Sequence, residues 1–377
     1  MSTTPVGENA MEGTTIPNDE PQATSLSLPR RFFRPETFLS FAFAFALLLF
    51  LFTQMDIVNI DISANIDITK GMLSDIRVNI YVNRAIFEAI LDTVRNTNPM
   101  LYIAALGIYY VSFPIRAWRW RQMLENTGCS RKQLPGIAGL SEIIFLSWFA
   151  NCIVPAKLGD LYRGYLAKKN AGLSFSRVVG TIVAERVIDF GVLLVMMGVA
   201  GVISFHGKVP SEITTVFLIG VGAMVVVALA LVAMRGVSGG LERFLPPRVH
   251  DVYGRFHEGA LRSFRFLPFL GSLTVAAWLM EAARVFLVTR AIGQPLSPDL
   301  PMELLMAVFV ALGSALLTAI PGTPAGLGYA EFGVSLALVL YGFGSDIAFS
   351  IAVLDRTLSY WSVVLFGLVT YILSKKK

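Results

Sequence analysis

The chain has 377 residues, of which 55% are hydrophobic and only 15% are charged, and its formal net charge at pH 7 is +5. Charged residues make up about a quarter of soluble domains, so this composition excludes an ordinary soluble protein and predicts a polytopic membrane protein. Two cysteines and three histidines disfavour a disulfide framework and a histidine-based metal site. The basic residues lie mostly in loops between apolar runs, which is typical of cytoplasmic loops and not of a nucleic-acid-binding surface.

The N-terminal region contains no periodic pattern before its first apolar run. Residues 1–36 are rich in Thr, Pro, Glu and Asn, which predicts a disordered cytoplasmic tail. Three arginines precede the apolar run at 37–55, and no small-residue cleavage site follows it. We therefore expect an uncleaved first span with the N-terminus inside.

Residues 56–98, which complete the region 37–98, are expected to form an extracytoplasmic loop. Ile and Asp nearly alternate between 60 and 68, which predicts short strands. Apolar residues between 86 and 94 recur at helical spacing and predict a helix. This helix either lies on the membrane surface or packs as a small extracytoplasmic element.

Residues 99–377 are expected to form the main transmembrane domain. Its C-terminus ends in three lysines and is expected on the cytoplasmic side. With the first span included, about six full spans are predicted, at 37–55, 99–115, 178–205, 212–234, 267–287 and 347–373.

One further apolar run, at 137–154, conflicts with the charge pattern if it spans. The segment after it carries Lys157, Arg163 and three more basic residues, and such segments stay cytoplasmic. Both observations hold if the run enters the membrane and returns without crossing, with its break at Asn151 and Pro155. Irregular backbone at membrane depth persists only where protein or a water-filled cavity covers it.

A second break resembles the first. Pro324-Ala325-Gly326-Leu327-Gly328 repeats the pattern of Pro155-Ala156-Lys157-Leu158-Gly159, and Arg356 follows Pro324 by 32 residues as Arg186 follows Pro155 by 31. No Lys or Arg occurs from 291 to 355, which favours the outer side for the second break. The two breaks thus predict an inverted-topology repeat in an all-α fold with two re-entrant helical elements.

Ionisable residues inside predicted spans are the remaining signals, because they are costly there unless paired. Glu185, Arg186 and Asp189 form either an internal ion network or a direct substrate contact. Arg116 and Arg119, beside Trp120, form either a basic interfacial anchor or part of a substrate site. Glu281 and Arg284, three residues apart, are predicted to pair.

Taken together, these stretches resemble the flippase-like transmembrane family typified by the membrane domain of lysylphosphatidylglycerol synthase. The matching motifs are Arg116-x-x-Arg119-Trp120, Asn151-x-x-x-Pro155-x-Lys157-x-Gly159-Asp160-x-x-Arg163, Glu185-Arg186-x-x-Asp189, Pro321-x-Thr323-Pro324-x-Gly326-x-Gly328-x-x-Glu331 and Arg356-x-x-x-Tyr360-Trp361. The family usually has Arg, Glu and Gly where Lys157, Asp160 and Ala325 stand, so an alanine at 325 disfavours a tight left-handed turn. The resemblance covers about residue 116 to the C-terminus and implies lipid translocation. The synthase's aminoacyltransferase domain is absent from this sequence.

The break chemistry suits a phosphate, because glycines let backbone N–H groups approach a ligand and arginine binds phosphate through two parallel bonds. We expect a flippase or scramblase for an anionic phospholipid or a polyprenyl-phosphate-linked glycolipid, with no catalysis, cofactor or metal, in an inner (plasma) membrane. Asp160, Glu185 and Glu331 hold the arginines when the site is empty, or bind cationic parts of a headgroup. The alternatives are an enzyme that modifies a lipid headgroup and a non-catalytic partner of a membrane glycosyltransferase; a homo-oligomer is left open. The expected substrate-binding residues are Arg116, Arg119, Asn151, Lys157, Gly159, Asp160, Arg163, Glu185, Arg186, Asp189, Thr323, Gly326, Gly328, Glu331, Arg356 and Tyr360.

Overall fold

The structure, a computed structural model, describes residues 42, 45–46, 58–67, 72–82, 84–154, 157–241, 247–320 and 322–376. The predicted tail at 1–36 and nearly all of the predicted span at 37–55 lie outside these residues. So do Pro155, Ala156 and Pro321. The predicted domain boundaries therefore stay predictions.

Two antiparallel strands and a short helix precede the transmembrane helices. Strand β1 (Val58–Asp67) pairs with strand β2 (Met72–Val82), with Val58 opposite Val82 and a register shift between Asn65 and Ile66. Helix α1 (Arg84–Arg95) follows and contacts the helix Ser345–Arg356. Strands and helix thus occur where the sequence predicts them, and this contact favours the packing role over a surface-lying helix.

The described chain from residue 99 onward is helical and confirms the all-α prediction for this domain. Its helices are α2 (Pro99–Asn126), α3 (Ile137–Ile153), α4 (Leu158–Ala171), α5 (Phe175–Ser204), α6 (Ser211–Leu241), α7 (Pro247–Arg262), α8 (Leu267–Ala291), α9 (Leu300–Leu317), α10 (Tyr329–Leu340), α11 (Ser345–Arg356) and α12 (Ser362–Leu373). A 3₁₀ turn at Pro324–Gly326 precedes α10, and a π-helical turn at Thr357–Trp361 joins α11 to α12.

Six helices in the described part are long and apolar enough to cross a membrane, namely Pro99–Asn126, Phe175–Ser204, Ile213–Arg235, Leu267–Ala291, Leu300–Leu317 and Ser345–Leu373. Five coincide with predicted spans. The sixth, α9, was predicted as the first arm of the second break, and its 18 residues extend about 27 Å. The shorter apolar helices are Ile137–Ile153 and Pro324–Leu340.

Helices α2 and α8 pack side by side in opposite directions. At one end the backbone N–H of Asn98 donates to the Ala291 carbonyl at 2.7 Å. At the other end the Asn126 amide donates to the Arg265 carbonyl at 2.7 Å. These two hydrogen bonds fix the pairing of the helices at both ends. Asn98 also caps the first turn of α2, because its side chain accepts from the N–H of Met100 at 3.0 Å.

Helices α3 and α4 form an antiparallel unit that we call hairpin 1. The end of hairpin 1 opposite its tip is where α3 begins and α4 ends. There the Gln133 side chain donates to the Ala171 carbonyl at 3.0 Å. The chain's last residues lie there too, since Lys376 donates to the Gly139 carbonyl at 3.2 Å and its own carbonyl accepts from Asn170 at 3.0 Å. Hairpin 1 therefore opens at the end of the bundle where α5 begins.

Helices α9 and α10 form the corresponding unit, hairpin 2. The Ser314 hydroxyl donates to the Ala330 carbonyl at 3.1 Å and joins the two arms near their tip. Past the end of α10, Tyr341 hydrogen-bonds Ser204 at 2.6 Å between hydroxyl oxygens, and Ser204 is the last residue of α5. Hairpin 2 therefore opens where α5 ends, about 45 Å along that 30-residue helix from the opening of hairpin 1.

The two hairpins meet through their tips inside the bundle. The 3₁₀ turn Pro324–Gly326 of hairpin 2 contacts α3 of hairpin 1. Beside it, the Tyr360 hydroxyl donates to the Cys152 carbonyl, one residue before the end of α3, at 3.0 Å. The described part of the hairpin 2 tip, Pro324–Gly326, is thus covered by protein, as irregular backbone at membrane depth requires.

Candidate functional site

The tip of hairpin 1 is a tight turn in which a glycine is sterically required. Lys157 adopts a left-handed conformation (φ +53°, ψ +32°) immediately before α4. The Gly159 N–H donates to Asn151 Oδ1 at 2.8 Å, and its carbonyl accepts from the Ser147 hydroxyl at 2.8 Å. A Cβ at Gly159 would lie 2.1 Å from the Ser147 carbonyl oxygen, so only glycine allows this approach.

Asp160 binds Arg186 through two parallel hydrogen bonds at this tip. Arg186 Nε and Nη2 each donate to one carboxylate oxygen of Asp160 at 3.1 Å. Arg186 Nη1 also lies 3.7 Å from Asp189 Oδ2. The Arg186 side chain remains 39% exposed in the protein alone, whereas Arg119 behind it is only 1% exposed. Arg186 is thus the accessible arginine of this group.

Behind Arg186, Arg119 and Arg163 are bound by the acids of α5. Arg119 donates to Glu185 at 2.8 Å, to Asp189 and to the Thr274 hydroxyl at 2.8 Å. Arg163 Nη2 lies 2.9 Å from Glu185 Oε2, and its guanidinium stacks over Trp120 at 4.8 Å. We call Arg119, Arg163, Arg186, Asp160, Glu185 and Asp189 the first network.

A second network connects α2, α8 and α11. Glu281 accepts from Arg116 at 2.9 Å and from Arg284 at 3.1 Å, and Arg284 also donates to Asp355. The predicted Glu281–Arg284 pair is present, but it has two further members. Arg116 additionally lies over the Trp148 ring at 4.8 Å, which gives it a cation–π contact. Arg116 thus belongs to this network and is not bound to the acid of either tip.

The tip of hairpin 2 keeps the left-handed turn that an alanine was expected to disfavour. Ala325 adopts φ +44° and ψ +31°, and Gly326 and Gly328 also have positive φ. The Gly328 N–H donates to Glu331 at 2.7 Å, which caps α10. The expectation for Ala325 was therefore wrong: contacts around the turn hold an L-residue there at a cost of about 1–2 kcal/mol.

Glu331 and Arg356 form the third group, which we call the third pair. Arg356 Nε donates to Glu331 at 3.2 Å, and Nη2 donates to the Ala325 carbonyl at 3.2 Å. Its guanidinium lies over the Tyr360 ring at 5.1 Å. Thr323, also at this tip, is only 4% exposed, and its hydroxyl has no hydrogen-bond partner among the described residues.

The two tips place their charges in matching positions. Asp160 is the third residue of α4 and Glu331 is the third residue of α10. Arg186 stands 11 residues after Phe175, the start of α5 (186 − 175), and Arg356 stands 11 residues after Ser345, the start of α11 (356 − 345). The second helix of each hairpin, α4 or α10, therefore presents an acid in its first turn to an arginine about three turns into the helix that follows the hairpin.

The chain matches the model of the lysylphosphatidylglycerol synthase transmembrane region over residues 79–367. The chain belongs to this family. The match begins well before residue 116, where the motifs of the resemblance begin, so it also takes in the end of β2, α1 and the first part of α2.

Several archaeal proteins are similar to this family member. The UPF0104 membrane protein MJ1078 of Methanocaldococcus jannaschii is 34% identical over 225 residues, which cover 59% of the chain and 93% of that protein. A UPF0104 membrane protein of Methanothermobacter thermautotrophicus is 24% identical over 317 residues, which cover 76% of the chain and 87% of that protein. Glycosyltransferase AglD of Haloferax volcanii is 25% identical over 71% of the chain, and the match spans only 48% of AglD. No solved structure matches the chain.

Charge balance is a common property of the three groups in this family member. The first network has three arginines and three acids, the second has two of each, and the third pair has one of each. Lys157 lies beside the first network, and no acid in the described residues comes within 4.0 Å of its amine. The three groups are therefore neutral, and Lys157 adds one positive charge.

The structure brings most of the predicted site residues to the two tips, and Arg116, Arg119, Arg163, Glu185 and Asp189 to the networks behind them. Sequence reasoning missed the hydroxyl of Thr274 and the carbonyl of Cys152. Neither carries a sequence signal, because threonine is common in such helices and a carbonyl is present in every residue. The partnership of Arg116 with Glu281 was also missed, although each residue had been noted as an ionisable group in a span.

Proposed function

We propose that the chain moves an anionic phospholipid or a polyprenyl-phosphate-linked glycolipid between membrane leaflets. The observation that carries the proposal is the matched pair of tips, each with an acid bound to an arginine, in hairpins that open at opposite ends of α5. Membership of a family that includes the membrane region of a lipid-modifying synthase supports it.

The hairpins are re-entrant elements of an inverted-topology repeat in this proposal. One unit comprises α2, hairpin 1 and α5, and the other comprises α8, hairpin 2 and α11–α12. The antiparallel packing of α2 against α8 supports this reading, because these helices are the first of each unit. Transporters with such repeats bind their substrates where the broken helices of the two units meet.

In the proposed transport step, the lipid phosphate competes with Asp160 and Glu331 for the arginines that bind them. Arginine binds a carboxylate and a phosphate with the same bidentate geometry, so a lipid phosphate displaces Asp160 from Arg186 and later Glu331 from Arg356. Return of each acid then releases the lipid. The buried Thr323 hydroxyl supports a ligand at the second tip, because an unsatisfied buried donor costs about 1–3 kcal/mol.

Charge accounting favours a headgroup with one net negative charge. The first network and the third pair are neutral, so an incoming phosphodiester is balanced by Lys157 alone. We place the open end of hairpin 1 on the cytoplasmic side of an inner (plasma) membrane. Lys376 and Arg262 of α7 lie at that end, where basic residues are retained.

Reconstitution in liposomes tests the proposal. A fluorescent phosphatidylglycerol or a short polyprenyl phosphate is followed between leaflets by chemical quenching of the outer leaflet. We expect transfer above empty vesicles, reduced about tenfold or more by Arg186→Gln and by Arg356→Gln, since each loses a charge-assisted contact to phosphate. The matched control is Arg255→Gln, an exposed arginine on α7. No transfer with either lipid, in folded protein, refutes the proposal.

The name of one relative gives the alternative a specific basis. AglD is called a glycosyltransferase, and about half of it lies outside the match. A chain that itself modifies a lipid headgroup would change the headgroup mass when incubated with the sugar donor, and a chain that serves a glycosyltransferase would do so only when that enzyme is added. Mass spectrometry of the recovered lipids separates this outcome from transfer of an unmodified lipid.

A further inference from the structure

A cavity of about 400 Å³ lies outside the two tips and both networks. It is formed where α2 ends, α6 leaves the predicted membrane span and α7 ends before α8. Its lining residues are Asn126, Arg235, Leu261, Arg262, Phe264 and Arg265. The volume falls within the range of small-ligand pockets.

The cavity lies at the level where three spans terminate. Asn126 is the last residue of α2, Arg235 is the last residue of the apolar span in α6, and α8 begins two residues after Arg265. In a bilayer, the ends of spanning helices lie at the depth of the lipid headgroups. The cavity is therefore level with lipid phosphates and not with acyl chains.

Its lining combines three guanidinium groups with two apolar side chains and, among these described residues, includes no acid. The acid beside it, Glu258, is shared between Arg262 at 2.5 Å and Arg177 at 2.8 Å. Because this carboxylate serves two arginines, and no salt bridge to Arg265 occurs among the described residues, Arg262 and Arg265 together give the lining an excess of positive charge. Leu261 and Phe264 offer apolar surface next to that charge.

The wall of the cavity is held in place by specific contacts. The Asn126 amide donates to the Ser263 carbonyl at 3.3 Å and to the Arg265 carbonyl at 2.7 Å. The Arg265 guanidinium lies over the Phe266 ring at 5.2 Å. A preformed site of this kind lowers the entropic cost of binding a ligand.

From these observations we infer that the cavity binds the phosphate of an anionic phospholipid as a resident ligand, apart from the transport route. The arginines bind the phosphate, and the apolar side chains contact the glycerol and first acyl carbons. The inference does not rest on the proposed function, because none of the lining residues belongs to the tips or networks.

The site is mechanically connected to the helix that carries Arg186. A Cβ at Gly259 would lie 2.2 Å from the Arg177 carbonyl oxygen, and one at Gly180 would lie 2.3 Å from the Phe256 carbonyl oxygen. Helices α7 and α5 therefore touch backbone to backbone. A bound phosphate that attracts Arg262 also weakens its hold on Glu258, the acid that joins α7 to Arg177 of α5.

Lipid retention by the full chain tests the inference. The protein is purified in detergent, delipidated, exposed to equal amounts of phosphatidylglycerol and phosphatidylcholine, and examined by native mass spectrometry. We expect preferential retention of phosphatidylglycerol. Arg262→Gln combined with Arg265→Gln should reduce this preference about 30-fold, since each basic residue near the headgroups contributes about one factor of five. Arg255→Gln, on the same helix but outside the cavity, should keep it.

Two further arms make the result decisive. Arg262→Lys with Arg265→Lys keeps the charge and should retain most of the preference; loss of the preference in this variant, when it is folded, would contradict binding through these charges. Inorganic phosphate added at millimolar concentration should compete with the lipid; phosphate binding without any lipid preference would assign the same site to a soluble phosphorylated ligand. Equal retention of both lipids by the wild type, with no effect of phosphate, overturns the inference.

Discussion

Replacing Gly159 with alanine tests the structure of the hairpin 1 tip. The added methyl group would lie 2.1 Å from the Ser147 carbonyl oxygen and 2.6 Å from Asn151 Oδ1. A carbon and an oxygen normally stay about 3.3 Å or more apart, so helices α3 and α4 must separate by roughly 1 Å at this point.

The cost follows from the contacts that this separation breaks. Overpacking costs about 1–3 kcal/mol. The hydrogen bonds from Gly159 to Asn151 and from Ser147 to Gly159 contribute about 1 kcal/mol each, and alanine returns up to about 1 kcal/mol of helix propensity. We expect a net destabilisation of about 2–4 kcal/mol, which lowers the apparent unfolding midpoint by roughly 3–5 °C for a chain of 377 residues.

The midpoint is measured by intrinsic tryptophan fluorescence of the purified chain in one detergent and at one heating rate, because membrane proteins commonly unfold irreversibly. Gly107→Ala on α2 is the matched control, since a Cβ there meets nothing within 4 Å, and it should leave the midpoint unchanged or slightly higher. A Gly159→Ala midpoint equal to that of the control would refute the close packing of this tip.

Three further predictions concern the other groups of charges and the second tip. Ala325→Gly should raise the unfolding midpoint by up to about 2 °C, because the ~1–2 kcal/mol of left-handed strain removed at φ +44° exceeds the ~0.5–1 kcal/mol of chain entropy that glycine costs; a lower midpoint would contradict this. Lys157→Gln should lower the preference for an anionic over a zwitterionic lipid in the liposome assay, since it removes the unbalanced positive charge; an unchanged preference would contradict the charge accounting. Glu281→Gln should cost about 3–5 kcal/mol, because Arg116 and Arg284 lose their shared acid, whereas Glu142→Gln, which breaks a more exposed pair with Lys376, should cost about 1 kcal/mol or less; similar costs for the two would argue against the second network.

Several features of the site were predictable because they depend on local spacing. Glu281 and Arg284 are three residues apart on one helix, so their pairing follows from helix geometry alone. The repeated Pro-Ala-x-Leu-Gly pattern located both tips, whereas the side of the membrane that each tip faces stays a prediction.

Other features depend on contacts between distant segments. Arg116 binds Glu281, 165 residues away, and no spacing rule connects two such positions. The left-handed Ala325 was not predicted either, because the preference of one residue yields to the packing of the whole tip. Helix α9 is long enough to span although it is one arm of a hairpin, and apolar periodicity does not separate these two roles.

The separate neutrality of the three charged groups restricts how this bilayer protein can diverge. A single change of sign in one group leaves a stranded charge in a medium that solvates it poorly, so tolerated changes must come as compensating pairs within a group. Substitutions of charged residues in different groups do not need to compensate each other. Relatives should therefore vary Asp160 together with Arg186, and Glu331 together with Arg356, while the two pairs drift independently of each other.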